Sequence, residues 1–217
     1  MTRKEIITVI EEKKLVAVVR VDDPDDLINV SEALLKGGVS IIELTMTIPG
    51  ALGKISELRE KLGDSILVGM GSVLDAQTAR NAMDAGSQFI VSPVMRPEII
   101  DAAHENDVPV SVGAYTPTEI LEASDRGADV VKIFPANQLG PSYIKAVRAP
   151  MPHLKLLPTG GVSSDNIHLW LEAGTFALGV GSALVDMKAI REKNFDLLTE
   201  KARVLTEKVN SYKANAK

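Results

Sequence analysis

Cysteine is absent from this sequence, which excludes both a disulfide framework and thiolate chemistry. Aromatic residues make up only 4 % of the chain, too few to favour the stacking surfaces that bind single-stranded nucleic acid. The longest apolar runs hold about six residues, far fewer than the roughly 20 that a membrane-spanning helix needs. The opening residues MTRKEIITVIEEKK lack the apolar core of a signal peptide. We therefore expect a cytoplasmic protein that contacts no membrane.

Strong charge of one sign is also missing. The formal net charge is −5, and acidic and basic residues are interspersed along the chain. This pattern gives no electrostatic footprint for nucleic acid or an anionic membrane, so any anionic substrate must be bound by local groups. With 217 residues and 45 % apolar content, the chain is long enough for one substantial core, and we expect a single domain over 1–217.

What the sequence does contain is a repeated unit: a polar helical stretch, a glycine, and a short run rich in Val, Ile and Leu. The glycines stand where a left-handed helix cap is expected, at Gly37 and Gly38, Gly86, Gly127 and Gly174. Eight runs read as strands, namely LVAVVR, SIIELT, ILVGMG, QFIVSP, VPVSVGA, DVVKIFP, LKLLPTGG and FALGVGS. Runs that are apolar throughout are typical of parallel strands covered on both faces.

Eight strands alternating with helices predict an α/β fold of the (β/α)8 TIM-barrel type. A doubly wound open sheet has the same alternation and stays an alternative. Helix starts are indicated by Asp23 before Pro24, and by Thr116 with Glu119 as a capping box. We expect an extra N-terminal helix over 3–13 that covers the bottom of the barrel. The last helix is expected over roughly 195–212, followed by a polar tail that frays.

Two charged residues interrupt apolar strands. Lys132 lies within the sixth strand, where an ammonium group is costly to bury unless an opposite charge lies close. Either it is a nucleophilic amine that forms an imine with a ketone, or it reaches solvent from the strand's end. Glu43 interrupts the second strand in a similar position. A buried carboxylate beside an amine can relay protons; the alternative is a purely structural ion pair with Lys132 or an arginine.

Two glycine-rich segments follow the seventh and eighth strands, PTGGV and GVGSA. Backbone amides of such loops, especially at helix N-termini, bind phosphate without a basic side chain, and in these barrels this is the usual place for it. We therefore predict a phosphate site built from Gly160, Gly161, Gly181 and Ser182. A pair of tight turns with no ligand is the alternative.

Small polar side chains close most of the remaining strands, on the face where barrel enzymes carry their catalytic residues. They are Thr45, Thr47, Ser72, Ser92 and Thr159. Arg20 ends the first strand, and its planar guanidinium suits a carboxylate or phosphate. A surface ion pair of Arg20 with Asp22 or Asp23 is the alternative. The three histidines show no metal-ligand spacing, so we expect neither a metal ion nor a cofactor.

Together these motifs resemble the 2-keto-3-deoxy-6-phosphogluconate (KDPG) aldolase family, also called the 4-hydroxy-2-oxoglutarate (KHG) aldolases. The motifs are IIELTMT, VGMGSVL, FIVSP, VKIFPAN and LLPTGGV, and the likeness runs from LVAVVR to GVGSALV. The resemblance implies a homotrimeric class I aldolase that acts on a small phosphorylated 2-keto acid, with Lys132 as the Schiff-base lysine and Glu43 as the proton shuttle. It implies a substrate site formed by Arg20, Thr47, Ser72, Pro93, Phe134 and Thr159.

One residue departs from the family pattern. Some members carry an arginine four residues after the glutamate, where this chain has Thr47, and Arg20 is the residue that could replace it. The sequence leaves open whether the substrate is the gluconate-derived or the galactonate-derived acid, and whether KHG is a second substrate. Sugar-phosphate isomerases and epimerases, which use carboxylates without an imine, are a different class that shares this fold. A non-catalytic phosphate-binding module is a further alternative.

Overall fold

The computed structural model describes residues 1–215, and its centre is one sheet of eight parallel strands. The strands are β1 (Leu15–Val19), β2 (Ile41–Thr45), β3 (Leu67–Gly71), β4 (Ile90–Val91), β5 (Val110–Ala114), β6 (Val130–Ile133), β7 (Leu156–Pro158) and β8 (Leu178–Val180). Every strand is short because each only has to cross the inner wall of a small barrel before the chain turns into a helix.

Helices flank every strand. They are α1 (Arg3–Lys13), α2 (Leu27–Lys36), α3 (Ala51–Leu62), α4 (Ala76–Asp84), α5 (Pro97–Glu105), α6 (Pro117–Asp125), α7 (Gly140–Arg148), α8 (Ile167–Glu172), α9 (Met187–Arg191) and α10 (Phe195–Asn215). Within residues 1–215, no helix combines the length and the apolar character that a bilayer crossing requires.

The sheet closes on itself. The strand order runs from β7 through β6 down to β1 and then β8. The two outer strands are joined by a bridge between Thr159 and Gly179 and by a hydrogen bond from the Phe176 amide to the Leu156 carbonyl at 2.8 Å. The predicted barrel is confirmed, and the open doubly wound sheet is excluded.

Alternate residues of each strand face two different cores. One apolar cluster lies between the barrel and its ring of helices and includes Ala17, Leu44 and Met70. The other cluster fills the inside of the barrel and joins it to α1; it comprises Ile6, Ile7, Ile10, Val16, Ile41, Leu67, Phe89, Val91, Val130, Leu157, Phe176 and Ala177. Helix α1 therefore closes the bottom of the barrel, at the amino ends of the strands, as predicted.

Several helix ends also follow the sequence signals. The Thr116 side chain accepts the Glu119 amide while the Glu119 carboxylate accepts the Thr116 amide, which is a complete capping box. Asp23 caps a short 3₁₀ turn, and α2 follows that turn at Leu27. The left-handed cap of α2 is at Gly38, with φ of 92°, whereas Gly37 has φ of −82°, so the prediction for Gly37 is wrong.

Other boundaries were predicted less well. The sequence after β8 can start a helix, but the bounds of α9 were not predicted. Helix α10 continues to Asn215, three residues beyond the expected end, and the end of the polar tail, Ala216 and Lys217, lies outside the described residues. The fourth strand is reduced to Ile90 and Val91, since Ser92 and Pro93 already turn towards α5.

Two glycines offer a matched test of interior packing. A Cβ on Gly69 would lie 2.3 Å from the Phe89 ring inside the barrel, whereas a Cβ on Gly53 in α3 meets nothing within 4 Å. We expect Gly69→Ala to lower the free energy of unfolding by about 1–3 kcal/mol through overpacking. Gly53→Ala should raise it by about 0.5 kcal/mol through helix propensity. Urea denaturation checks both; equal effects of the two substitutions would contradict this packing.

Candidate active site

Lys132 and Glu43 meet inside the barrel. Lys132 pairs with Gly113 of β5 and Leu157 of β7, and Glu43 pairs with Val18 and Gly69, so the two residues come from strands on opposite sides. Lys132 Nζ lies 3.3 Å from Glu43 Oε1.

Both side chains are buried, Lys132 with 5 % and Glu43 with 1 % of its surface exposed. The alternative in which Lys132 reaches solvent is therefore wrong. Two opposite charges taken out of water are each expensive, and their mutual attraction offsets that cost.

Gly71 makes room for the carboxylate. A Cβ at this position would lie 2.1 Å from Glu43 Oε1 and 2.7 Å from its Cδ. Leu67, Gly69 and Gly71 are alternate residues of β3 and therefore lie on the same face of the strand. Because Leu67 belongs to the inner cluster, Gly71 also faces the inside of the barrel. The missing side chain of Gly71 is therefore what allows the Glu43 side chain to lie against the barrel wall and reach Lys132.

Two polar atoms beside this pair are buried without a hydrogen-bond partner among residues 1–215: Glu43 Oε2 and Thr159 Oγ1. The Thr159 side chain packs against Gly179. A Cβ added to Gly179 would lie 2.2 Å from the Thr159 hydroxyl oxygen. An unsatisfied buried polar atom costs about 1–3 kcal/mol, so such atoms in a native structure call for an explanation. Both are available to bond a substrate or a water molecule that enters the barrel.

Phe134 and Pro93 lie at the rim of the site. The Phe134 side chain is 41 % exposed, and its ring centroid lies 5.5 Å from Lys132 Nζ, close enough for a cation–π contact with the ammonium. The Pro93 carbonyl packs against Gly113. A Cβ added to Gly113 would lie 1.9 Å from the Pro93 carbonyl oxygen. Phe134, Pro93 and Tyr115 line part of a concavity of about 430 Å³ beside the mouth of the barrel.

Arg20 and Thr47 also lie at the mouth. Side chains alternate between the two faces of β1, so Val16, Val18 and Arg20 share the face that points into the barrel. Arg20 directly follows β1 and is exposed. Thr47 is exposed, and its hydroxyl lies 2.8 Å from the hydroxyl of the buried Thr45.

The ion-pair alternative for Arg20 is not supported. Asp22 pairs with Arg191 at 2.7 Å, and Asp23 accepts the Asp25 amide. Arg20 itself forms no salt bridge with any carboxylate within the described chain. Its guanidinium is therefore available to an anionic ligand.

Two serines at strand ends have different surroundings. Ser72 follows β3, is half-buried, and has φ of 61°, a left-handed conformation that costs a non-glycine residue of order 1 kcal/mol or more. Such strain is found mostly at functional sites. Ser92, by contrast, is fully buried and its hydroxyl accepts the Val94 amide at 3.3 Å, which is a local structural role.

The two glycine-rich loops lie side by side at the mouth, since β7 and β8 are neighbours. Gly160 and Gly161 have φ of 102° and 77°. The backbone amides of Gly160, Gly161, Gly181 and Ser182 donate to no acceptor among residues 1–215. They remain available for an anion.

A helix follows each of these loops, but neither loop opens directly into its helix. Helix α8 begins only at Ile167, and Asn166 binds back to Ser163 and Gly161 across the intervening turn. At α9, the Asp186 carboxylate already accepts the amides of Lys188 and Ala189. A phosphate here must therefore be bound by loop amides rather than by a helix N-terminus.

Sequence reasoning missed two contributors. Asn137 packs against Gly161, where a Cβ would lie 2.7 Å from the Asn137 Cβ, so the loop after β6 supports the loop after β7. The second is Gly71. The spacing of Gly69 and Gly71 on one face of β3 was a usable signal for it, whereas nothing in the sequence brings Asn137 near Gly161.

The arrangement can perform imine chemistry. An amine in a largely desolvated site attacks a carbonyl carbon, and an adjacent carboxylate can accept and return the protons involved. The pair inside the barrel is of the kind that class I, or Schiff-base, lyases use. The model of the KDPG and KHG aldolase family matches residues 6–201, and the chain belongs to this family.

Individual relatives agree with this membership. The chain is 33 % identical over 196 residues to the 2-dehydro-3-deoxy-phosphogluconate aldolase of Haemophilus influenzae, which covers 90 % of this chain and 92 % of the relative. It is also 33 % identical over 171 residues to the 2-dehydro-3-deoxy-6-phosphogalactonate aldolase of Escherichia coli K12, covering 78 % of this chain and 83 % of the relative.

A solved structure extends the comparison. The KDPG aldolase of Legionella pneumophila, captured with pyruvate as a covalent carbinolamine, superimposes with a TM-score of 0.85 at 28 % identity. The match covers 92 % of this chain and 97 % of that one. The family prediction made from the motifs is confirmed.

Proposed function

We propose that this chain cleaves KDPG to pyruvate and glyceraldehyde 3-phosphate through a Schiff base on Lys132, within a single domain. The observation that carries the proposal is the buried contact of 3.3 Å between Lys132 Nζ and Glu43 Oε1 at the carboxyl ends of the strands. The relative from Haemophilus influenzae, named for this substrate, supports it.

The first half of the reaction builds the imine. The neutral amine of Lys132 attacks the C2 carbonyl carbon of the substrate, and the resulting carbinolamine must lose its hydroxyl group as water. Glu43 lies where it can take a proton from the nitrogen and deliver one to the departing oxygen. The product is a protonated imine, which draws electrons from the neighbouring C3–C4 bond.

The second half breaks the carbon chain. Glu43, directly or through a water molecule, removes the proton of the C4 hydroxyl; the C3–C4 bond electrons move to form the enamine, and the aldehyde leaves. Protonation of the enamine at C3 gives the imine of pyruvate. Addition of water then returns the free amine of Lys132 and releases pyruvate. The unpartnered Oε2 of Glu43 suits these transfers, because it is available to a water or a substrate hydroxyl.

The remaining side chains orient the two ends of the substrate. We assign Ser72, Pro93, Phe134 and Thr159 to the pyruvate end, because each follows the carboxyl end of a strand and the Phe134 ring lies 5.5 Å from Lys132 Nζ. The amides of Gly160, Gly161, Gly181 and Ser182 bind the phosphate. Arg20 binds the substrate carboxylate beside Thr47, in place of the arginine that other members carry there.

A second substrate has specific support. The phosphogalactonate aldolase from Escherichia coli K12 is as similar in identity as the relative named for the gluconate compound. The two acids differ at one hydroxyl group, so the same lysine and glutamate serve both. KHG is an additional candidate on the strength of the family. An isomerase or epimerase is disfavoured, because it has no use for the buried amine.

We also propose a cytoplasmic homotrimer. Several large apolar side chains are exposed just after the carboxyl ends of strands: Leu74, Val94, Tyr115 and Phe134. An exposed apolar patch of this kind suits contact with another copy of the chain. A protein cage designed by fusing symmetric oligomeric domains is similar in fold, with a TM-score of 0.86 at 28 % identity over 94 % of this chain and 74 % of that one.

Borohydride trapping tests the Schiff base. Incubation with pyruvate and sodium borohydride should add a stable adduct to the wild type and none to Lys132→Arg, because a guanidinium forms no imine. Lys145→Arg, at an exposed position of α7, is the matched control and should keep the adduct. Intact-protein mass spectrometry reads both. An adduct that survives in Lys132→Arg disproves the assignment.

Replacement of the carboxylate tests the proton shuttle. Glu43→Gln keeps the shape of the side chain and should lower kcat by about 10² to 10⁴, the usual span for a lost general acid–base group. Pyruvate trapping should still reach completion but more slowly, since loss of water from the carbinolamine uses the same proton transfers. Steady-state assay and a trapping time course measure the two effects. Unchanged kcat would make Glu43 structural.

Substitutions at the two proposed anion sites should impair different steps of the reaction. A Cβ on Gly181 meets only the Val18 carbonyl at 3.9 Å, so Gly181→Ala should leave the fold intact and raise KM for phosphorylated substrate while pyruvate trapping stays normal. Arg20→Ala should weaken trapping about ten- to a hundredfold, as expected for a lost charge-assisted hydrogen bond. Normal trapping in Arg20→Ala with poor cleavage would move Arg20 to the phosphate end. Gly161→Val is a poorer test, because it collides with Asn137.

A further inference from the structure

A second concave region lies at the opposite end of the barrel from Lys132. It is a cavity of about 380 Å³ at the amino ends of β1, β7 and β8, and its walls include Lys14, Arg148, Lys155, Thr175, Phe176 and Tyr212. Lys14 and Arg20 are separated along β1 by six residues, about 20 Å of extended chain. The cavity is therefore separate from the proposed catalytic site.

Three basic side chains line this cavity without a carboxylate partner. Among the described residues, Lys14, Arg148 and Lys155 form no salt bridge, although Glu11 also lines the cavity. The ammonium groups of Lys14 and Lys155 lie 5.8 and 5.4 Å from the same Phe176 ring centroid. Gathering unpaired cations is unfavourable by itself, and it stands out in a chain of net charge −5.

Two of the three basic groups are held in place by hydrogen bonds, whereas Lys155 is exposed. Lys14 Nζ donates to the Phe176 carbonyl at 3.0 Å, and Arg148 donates to the Pro152 carbonyl at 3.0 Å. The Arg148 guanidinium lies on the backbone of Gly174, where a Cβ would be 1.8 Å away from it. These contacts orient the cations without neutralising their charge.

Two hydrogen-bond donors on residues that line the cavity are buried in its wall and have no partner within residues 1–215. They are Arg148 Nε and the hydroxyl of Thr175, a residue with only 5 % of its surface exposed. Burial also lowers the pKa of Lys14, with Lys213 and Arg148 adding repulsion that Glu11 opposes. A bound anion would satisfy the donors and remove the repulsion between the cations.

We propose that this distal cavity is a binding site for a small phosphate-bearing polyanion. Three cations and two donors that approach from different walls suit the several oxygens of a phosphate group better than a single planar carboxylate. The volume lies within the range of small-molecule sites, so the ligand extends beyond one phosphate group. The Phe176 ring and the Tyr212 side chain provide surface for that remainder.

Calorimetric titration with inorganic pyrophosphate at fixed ionic strength tests the proposal. In the double variant Lys14→Asn with Lys155→Gln, the affinity should fall at least tenfold, because two charged contacts are lost. Asn suits position 14, whose φ is 67°. The matched control, Lys4→Gln with Lys145→Gln, removes the same charge from exposed positions elsewhere and should bind as the wild type does.

An assay of aldol cleavage distinguishes a failure of this inference, which rests on the distal cavity, from a failure of the proposed function, which rests on Lys132. Without pyrophosphate, the Lys14→Asn and Lys155→Gln variant should keep the wild-type kcat, because both substituted side chains line the cavity at the amino ends of the strands and neither contacts the Lys132 and Glu43 side chains. If that variant does not fold, Thr175→Val, which removes only the buried hydroxyl, should weaken binding severalfold. Equal affinity in the two double variants, or in Thr175→Val and wild type, overturns the proposal. Citrate binding with no pyrophosphate binding overturns the assignment of phosphate.

Discussion

The contact between Lys132 and Glu43 is the interaction on which the site depends. It joins β6 to β2 across the inside of the barrel, so the two charges are brought together by closure of the sheet and not by any local segment. An open sheet would leave each charge among apolar side chains with no partner. The same closure lets one amine and one carboxylate exchange protons in a place that little water reaches.

The barrel interior is divided along its axis. Its lower part is filled by branched and aromatic side chains and covered by α1, which makes it a rigid base. Higher up, glycines replace large residues on the inner faces of β3, β5 and β8, and the side chains of Glu43 and Thr159 and the Pro93 carbonyl occupy the space. This upper part holds two polar atoms, Glu43 Oε2 and Thr159 Oγ1, that have no hydrogen-bond partner among residues 1–215.

The sequence predicted the features that depend on local pattern. Eight apolar runs gave the barrel, and a charge inside such a run was sufficient to select Lys132 and Glu43. The sequence did not predict the contact between the distant residues Asn137 and Gly161. It also did not predict that the Asp186 carboxylate accepts the first amides of α9. Nor did it predict the distance from each glycine loop to the helix that follows, because local composition does not reveal how many residues a turn uses before its helix begins.

Closure of the base by α1 has a consequence for the path that substrate and products take. Ile6, Ile7 and Ile10 pack into the amino end of the barrel, and the gap left among the inner side chains there is only about 20 Å³, so no passage for a molecule the size of the substrate leads from the distal cavity into the barrel. Everything that reaches Lys132 must enter and leave by the mouth. In the proposed mechanism, the bond to Lys132 retains pyruvate while the aldehyde leaves, and the water that later frees pyruvate must come through the same opening. The covalent bond would thus set the order of product release, and the closed base sets the path that both products share.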